Sequence, residues 1–157
     1  MKTAFLSLSL VLIAAAAAPT PAHADKADDT VKEIEKTFGF VPGFVKVMPR
    51  AALPIWWEQT KTFEMNPETA LDGKTKELIG LAVAAQIPCE YCVYFHTEAA
   101  KLNGATQQEI DEAVMMAAGT RAGSTLLNGV QADKVQFKKD VDRVVKGARK
   151  AQKQAKK

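Results

Sequence analysis

The chain has 157 residues, with 21 Lys and Arg, 18 Asp and Glu, two cysteines and two histidines. A length of this order holds one ordinary domain, and two cysteines are too few for a disulfide-built scaffold. No G-x-G pair occurs among the glycines, which sets aside a dinucleotide-binding loop.

Met1 and Lys2 precede an apolar run from Ala4 to Ala18, followed by Pro19, Pro21 and Ala22-His23-Ala24. A basic start, a short apolar core and an A-x-A site describe a signal peptide over residues 1–24, with cleavage near Ala24 and export, in a bacterium to the periplasm. The run falls short of the ~20 apolar residues that span a bilayer, so a retained anchor is the weaker reading. The form expected after cleavage starts at Asp25 and keeps one histidine, His96, and one serine, Ser124. Ser124 lacks a nucleophile-elbow context, which removes Ser-His-Asp hydrolases from consideration.

Everything after the leader reads as helix, since no segment sustains period-two alternation. The first helix is expected from Asp29 to Phe38, ended by Gly39, and a short helical stretch follows from Phe44 to Met48 after Val41-Pro42-Gly43. Ile55 to Phe63 forms the next. Trp56 and Trp57 are adjacent, hence about 100° apart on a helix, so one enters the core and the other sits at an edge. Lys74 to Gln86 is an apolar helix stopped before Pro88. Gly73-Lys74-Thr75 is a helix start and not a phosphate loop, because Glu68 stands where that motif requires glycine.

The next helix starts at Cys89 and ends before Asn103-Gly104. Thr106 and Glu109 match a capping box and open a long helix, with Gly119 and Gly123 as points that divide it from Leu126 and Leu127. The last helix is expected from Ala132 to Ala148. Residues 25–148 form the domain, and 149–157 a basic tail. From Lys134 onward there are ten basic residues against two acidic ones, while Asp25 to Asp133 carries ten against sixteen. The tail reads as a solvated extension, with no nucleic-acid partner and no stable membrane insertion.

The chemistry concentrates in one place. Cys89, Cys92 and His96 occupy positions i, i+3 and i+7, one face of a helix. A helix N-terminus favours thiolate over thiol, an imidazole one turn from Cys92 can take its proton, and a second sulfur can capture an oxidised first one as a disulfide. Glu77 shares a stripe with Gly80, Leu81 and Ala84 on the preceding helix. A carboxylate on a packing face needs a partner, and His96 is the candidate. Zinc bound by these four side chains and an inert structural disulfide are the competing readings. A c-type haem is excluded, since Val93 stands where CxxCH needs histidine.

Glu77, Cys89-Glu90-Tyr91-Cys92 and His96 together reproduce E-x11-C-x2-C-x3-H. With Phe38 to Phe44 and Trp57 upstream, the chain resembles the alkylhydroperoxidase AhpD-like branch of the carboxymuconolactone decarboxylase family over about Val31 to Val130. The resemblance implies an all-α fold whose helix pairs assemble into a homo-oligomer, trimers or multiples of them. It also implies a cofactor-free, metal-free thiol peroxidase acting on a small hydroperoxide and recharged by a dithiol or protein reductant. Carried over by position, Cys92 is the peroxide-attacking thiol, Cys89 the resolving thiol, and His96 and Glu77 the proton relay. Tyr91, an accessory residue in this reading, stands where the best-studied AhpD-type sites carry a histidine between the cysteines. Two other functions stay open: a thiol-disulfide oxidoreductase toward exported proteins, and a non-catalytic binding or assembly protein on the same fold.

Overall fold

The computed structural model describes residues 21–156, with side chains from Lys26 onward. The expected leader therefore lies outside the described residues, except that the backbone of 21–24 belongs to the first helix. The described residues are helical, with no strand among them: α1 Pro21–Phe38, α2 Gly43–Lys46, α3 Leu53–Gln59, α4 Gly73–Gln86, α5 Glu90–Leu102, α6 Gln107–Gly129 and α7 Lys134–Ala155. Two compact units divide between Asn66 and Pro67.

In the first unit α1 stops where the sequence says it should. Gly39 takes φ +79°, a left-handed conformation that only glycine adopts without strain, and its N–H donates to the Glu35 carbonyl at 2.8 Å. The core is Ile34, Val45, Leu53 and Trp57, with Val31, Val41, Met48 and Trp56 packed against it. Trp57 is the buried member of the tryptophan pair, and Trp56 sits at the edge with Phe44 edge-on to it, ring centroids 5.9 Å apart. The helix beginning at Leu53 widens into a π-helical turn over Thr60–Glu64. There Lys61 reaches Glu33 at 2.8 Å and Glu58 at 3.2 Å, tying the turn to α1 and holding the Glu33 carboxyl below its ordinary range.

In the second unit α4 packs against both α5 and α6 around Leu81, Ala100 and Ile110. Its two ends are fixed by polar clamps. At the start, Asp72 caps the helix by accepting the Thr75 N–H at 2.7 Å. Lys74 then donates to Glu109 at 2.7 Å, while Glu109 completes the capping box with Thr106 at the start of α6. The Lys74 ammonium, followed by the Thr106 donors, holds the Glu109 carboxyl down to about 2. At the far end the Arg121 guanidinium donates to the Gln86 side-chain oxygen at 2.6 Å and to its backbone carbonyl at 2.9 Å. The Gln86 amide in turn donates to the Ala117 carbonyl at 2.5 Å.

Several boundaries differ from expectation. α1 begins at Pro21, ahead of the expected Asp29. α6 continues through Gly119 and Gly123 without a break, because interior glycine costs only ~1 kcal/mol and the surrounding Ala, Met, Thr and Leu carry the helix across it. α5 begins at Glu90, with Cys89 as its cap. α7 starts at an Asp133 cap and extends through Ala155, so most of the expected tail continues the last helix. It buries no side chain.

Candidate redox site

The site lies where α4 hands over to α5. The Cys89 N–H donates to the Ala84 carbonyl at 3.1 Å, which fixes the short link through Ile87 and Pro88. Cys89 takes an extended conformation as the N-cap of α5, and its sulfur accepts the Cys92 N–H at 3.2 Å. The two sulfurs are joined as a disulfide, and both residues are half-buried. The cap assignment refines the expectation of three residues on one helical face. Cys92 and His96 share α5 one turn apart, whereas the Cys89 sulfur sits over the open N-terminus, where the first amides carry no intrahelical partner. Cys89 thus stands at the helix terminus, and Cys92 lies one turn from His96 along the helix.

Glu77 and His96 meet across the α4–α5 interface. The His96 Nδ1–H donates to Glu77 Oε2 at 2.7 Å when the carboxylate is ionised, and the two side chains are 28% and 13% exposed, respectively. A carboxylate accepts only, so it fixes the proton on Nδ1 and leaves Nε2 with a lone pair able to act as a base. Phe95 stands edge-on to the imidazole at 5.2 Å.

Gly80 makes this approach possible. A Cβ built there would lie 2.5 Å from His96 Cε1 and Nδ1 and 2.8 Å from Nε2. The imidazole therefore rests on the bare backbone of α4, and no larger residue fits beneath it. Leu81 and Ala84, on the same stripe as Glu77 and Gly80, are buried.

Tyr91 is 90% exposed, and no hydrogen bond among the described residues engages it. Among the described residues no cluster of three or more His, Cys, Asp or Glu side chains is placed to hold a metal ion. The sequence reading overlooked the Gln86–Arg121 clamp, which holds the end of α4 leading to Cys89. Its only trace in the sequence is a polar residue on an apolar helix and an isolated arginine 35 positions later.

Known proteins resemble this chain in sequence and fold. The model of the carboxymuconolactone decarboxylase family matches residues 51–134. The chain belongs to this family. Within it the AhpD-like branch is indicated by the alkylhydroperoxidase AhpD core from Rhodospirillum rubrum, whose crystal structure is similar at a TM-score of 0.59 and 27% identity. The similarity covers 74% of this chain and 89% of that one. The uncharacterized protein 4 in the cox locus of Paracoccus denitrificans is 41% identical over 63 residues, 40% of this chain. The chain spans 57% of the length of that relative. The family match takes in Glu77, Cys89, Cys92 and His96 and ends at Lys134, where α7 begins.

Proposed function

We propose that the chain is a thiol-dependent hydroperoxidase of the AhpD type, with Cys92 as attacking thiol and Cys89 as resolving thiol. The observation that carries this reading is the Glu77–His96 hydrogen bond, one helical turn from a cysteine that is bonded to its CxxC partner. With Glu77 holding the Nδ1 proton, His96 Nε2 takes the proton of Cys92. The thiolate then attacks the outer peroxide oxygen. The O–O bond breaks, the alcohol leaves with the returned proton, and Cys92 is left as sulfenic acid. Cys89, whose thiolate is favoured at the N-terminus of α5, attacks the Cys92 sulfur. The S–O bond breaks, the departing hydroxide takes up the proton released by the Cys89 thiol and leaves as water, and the disulfide forms. An external dithiol then reduces the disulfide and restores both thiols.

The same reading includes export after removal of the leader and assembly into trimers or their multiples. Exposed apolar side chains such as Tyr94, Met116, Leu126 and Leu127 supply surface for such assembly. No helix among the described residues is long and apolar enough to cross a membrane.

The test is peroxide consumption by the purified protein with a dithiol donor, comparing wild type with Cys92→Ser, Cys89→Ser and Glu77→Gln. Cys92→Ser should be inactive. Cys89→Ser should complete one turnover and stop at the sulfenic acid, and Glu77→Gln should lose on the order of 10²-fold or more in the attack step. Equal rates for all four proteins would end the proposal. A partly exposed disulfide flanked by the exposed Tyr91 and Tyr94 also suits exchange with a protein thiol. Rapid oxidation of a reduced substrate protein, without peroxide consumption, would assign the site to that second reaction.

A further inference from the structure

A separate feature lies beyond the redox site. α7 begins where the family match ends, buries none of its side chains, and is the most basic part of the molecule. Phe137, Val141, Val144, Ala148, Ala151 and Ala155 recur at alternating spacings of four and three, a continuous apolar stripe along the helix. Phe137, Val141, Val144 and Val145 on this side are all 41% exposed or more. Lys139, Arg143, Lys146, Lys150 and Lys153 occupy the opposite side and one flank. Among the described residues no ion pair engages them.

Three kinds of partner could cover such a helix. A second α7 would set a segment of net charge +6 against another of the same charge. The remainder of a second copy is acidic in sum, with six of its sixteen carboxylates, Asp28, Asp29, Glu33, Glu58, Glu98 and Glu109, already paired with Lys or Arg of their own chain, but carboxylates offer nothing to the apolar stripe. A nucleic acid would satisfy the charges but leave the Phe137–Val141–Val144 stripe in water. The surface of an anionic bilayer meets both requirements, with headgroup phosphates for the lysines and the upper acyl region for the stripe.

We propose that α7 is a peripheral membrane-docking helix that lies in the plane of an anionic bilayer and holds the redox domain at its surface. Lys134 to Lys157 carries ten basic residues and two acidic ones, and its apolar side is short of what spans a membrane, so attachment is reversible and salt-sensitive.

The experiment is vesicle flotation with the whole protein as purified from cells, so that the N-terminus is common to wild type and variants. In ~50 mM salt, wild type should partition roughly 10-fold or more onto vesicles containing phosphatidylglycerol relative to pure phosphatidylcholine, and ~0.5 M salt should remove the difference. Phe137→Ser with Val141→Ser should lower binding to the anionic vesicles about 10-fold. Lys146→Glu with Lys150→Glu should abolish the lipid preference. Circular dichroism and peroxide turnover in solution should match wild type for both variants, because α7 buries no side chain. Equal binding to both vesicle types, or wild-type binding by both variants, would overturn the proposal. So would duplex DNA that displaces the protein from vesicles with an affinity unchanged by Phe137→Ser, or self-association that both variants lose.

Discussion

Replacing Gly80 with alanine isolates the geometry on which the proposed relay depends. The added Cβ would stand 2.5 Å from His96 Cε1 and Nδ1, whereas carbon contacts settle near 3.5–4.0 Å, so the imidazole must retreat by about 1 Å or more. The Glu77–His96 hydrogen bond is 2.7 Å long. Lengthened by that amount it passes the limit at which a hydrogen bond survives. The helix itself gains, since alanine is favoured over glycine in a helix interior by ~1 kcal/mol. Crowding takes back about 1–3 kcal/mol. The protein should therefore fold with a melting temperature within a few degrees of wild type, yet reduce peroxide about 10²-fold more slowly, the usual consequence of ~1 Å misplacement in a catalytic pair. Stopped-flow reduction of peroxide by the pre-reduced protein reads the attack step, and a thermal melt reads the fold. Gly119→Ala is the matched control. A Cβ there meets nothing within 4 Å, so this variant should gain up to ~1 kcal/mol in stability and keep full activity. A Gly80→Ala enzyme with the wild-type rate constant would refute the claim that the seat beneath His96 sets the relay.

Three further outcomes follow from the packing. The Glu109 carboxyl is held down to about 2 from an ordinary 4.5, so its contribution is complete above about pH 4.5 and fades as pH falls toward 2. Thermal melts of wild type and Glu109→Gln should show a constant gap at neutral pH that narrows below 4.5 and closes near 2, and a gap that widens on acidification would contradict the assignment. Trp57 is 1% exposed and centres its unit's core, so Trp57→Ala should cost about 3–5 kcal/mol in denaturant titration. Arg121→Ala removes two hydrogen bonds to Gln86, one to its side chain and one to its backbone carbonyl, and should lower stability by roughly 1–3 kcal/mol. Hydrogen exchange should also quicken at the end of α4 more than at its start, which Lys74 and Asp72 hold.

Helical class and some helix ends could be read without coordinates because both depend on neighbours in sequence. Gly39 and Thr106 act through bonds to backbone groups a few residues away, so the end of α1 and the start of α6 were legible. The one-turn spacing of Cys92 and His96 is likewise a property of any helix. Where expectation failed, the local signal was weak against its surroundings. Gly119 and Gly123 do not stop α6, since nothing opposes continuation there and the loss per glycine is small.

What the tertiary structure alone decided is the relation between helices. Sequence periodicity places Glu77 and Gly80 on one side of α4 and His96 on α5, but the register between two helices depends on how both surfaces interlock. That interlocking turned a carboxylate in need of a partner into a 2.7 Å bond to His96, and a small residue into the seat beneath the imidazole. The grip of Arg121 on Gln86 arises in the same way. Chain order fixed which groups could react. The packing of α4 against α5 fixed that Glu77 and His96 meet.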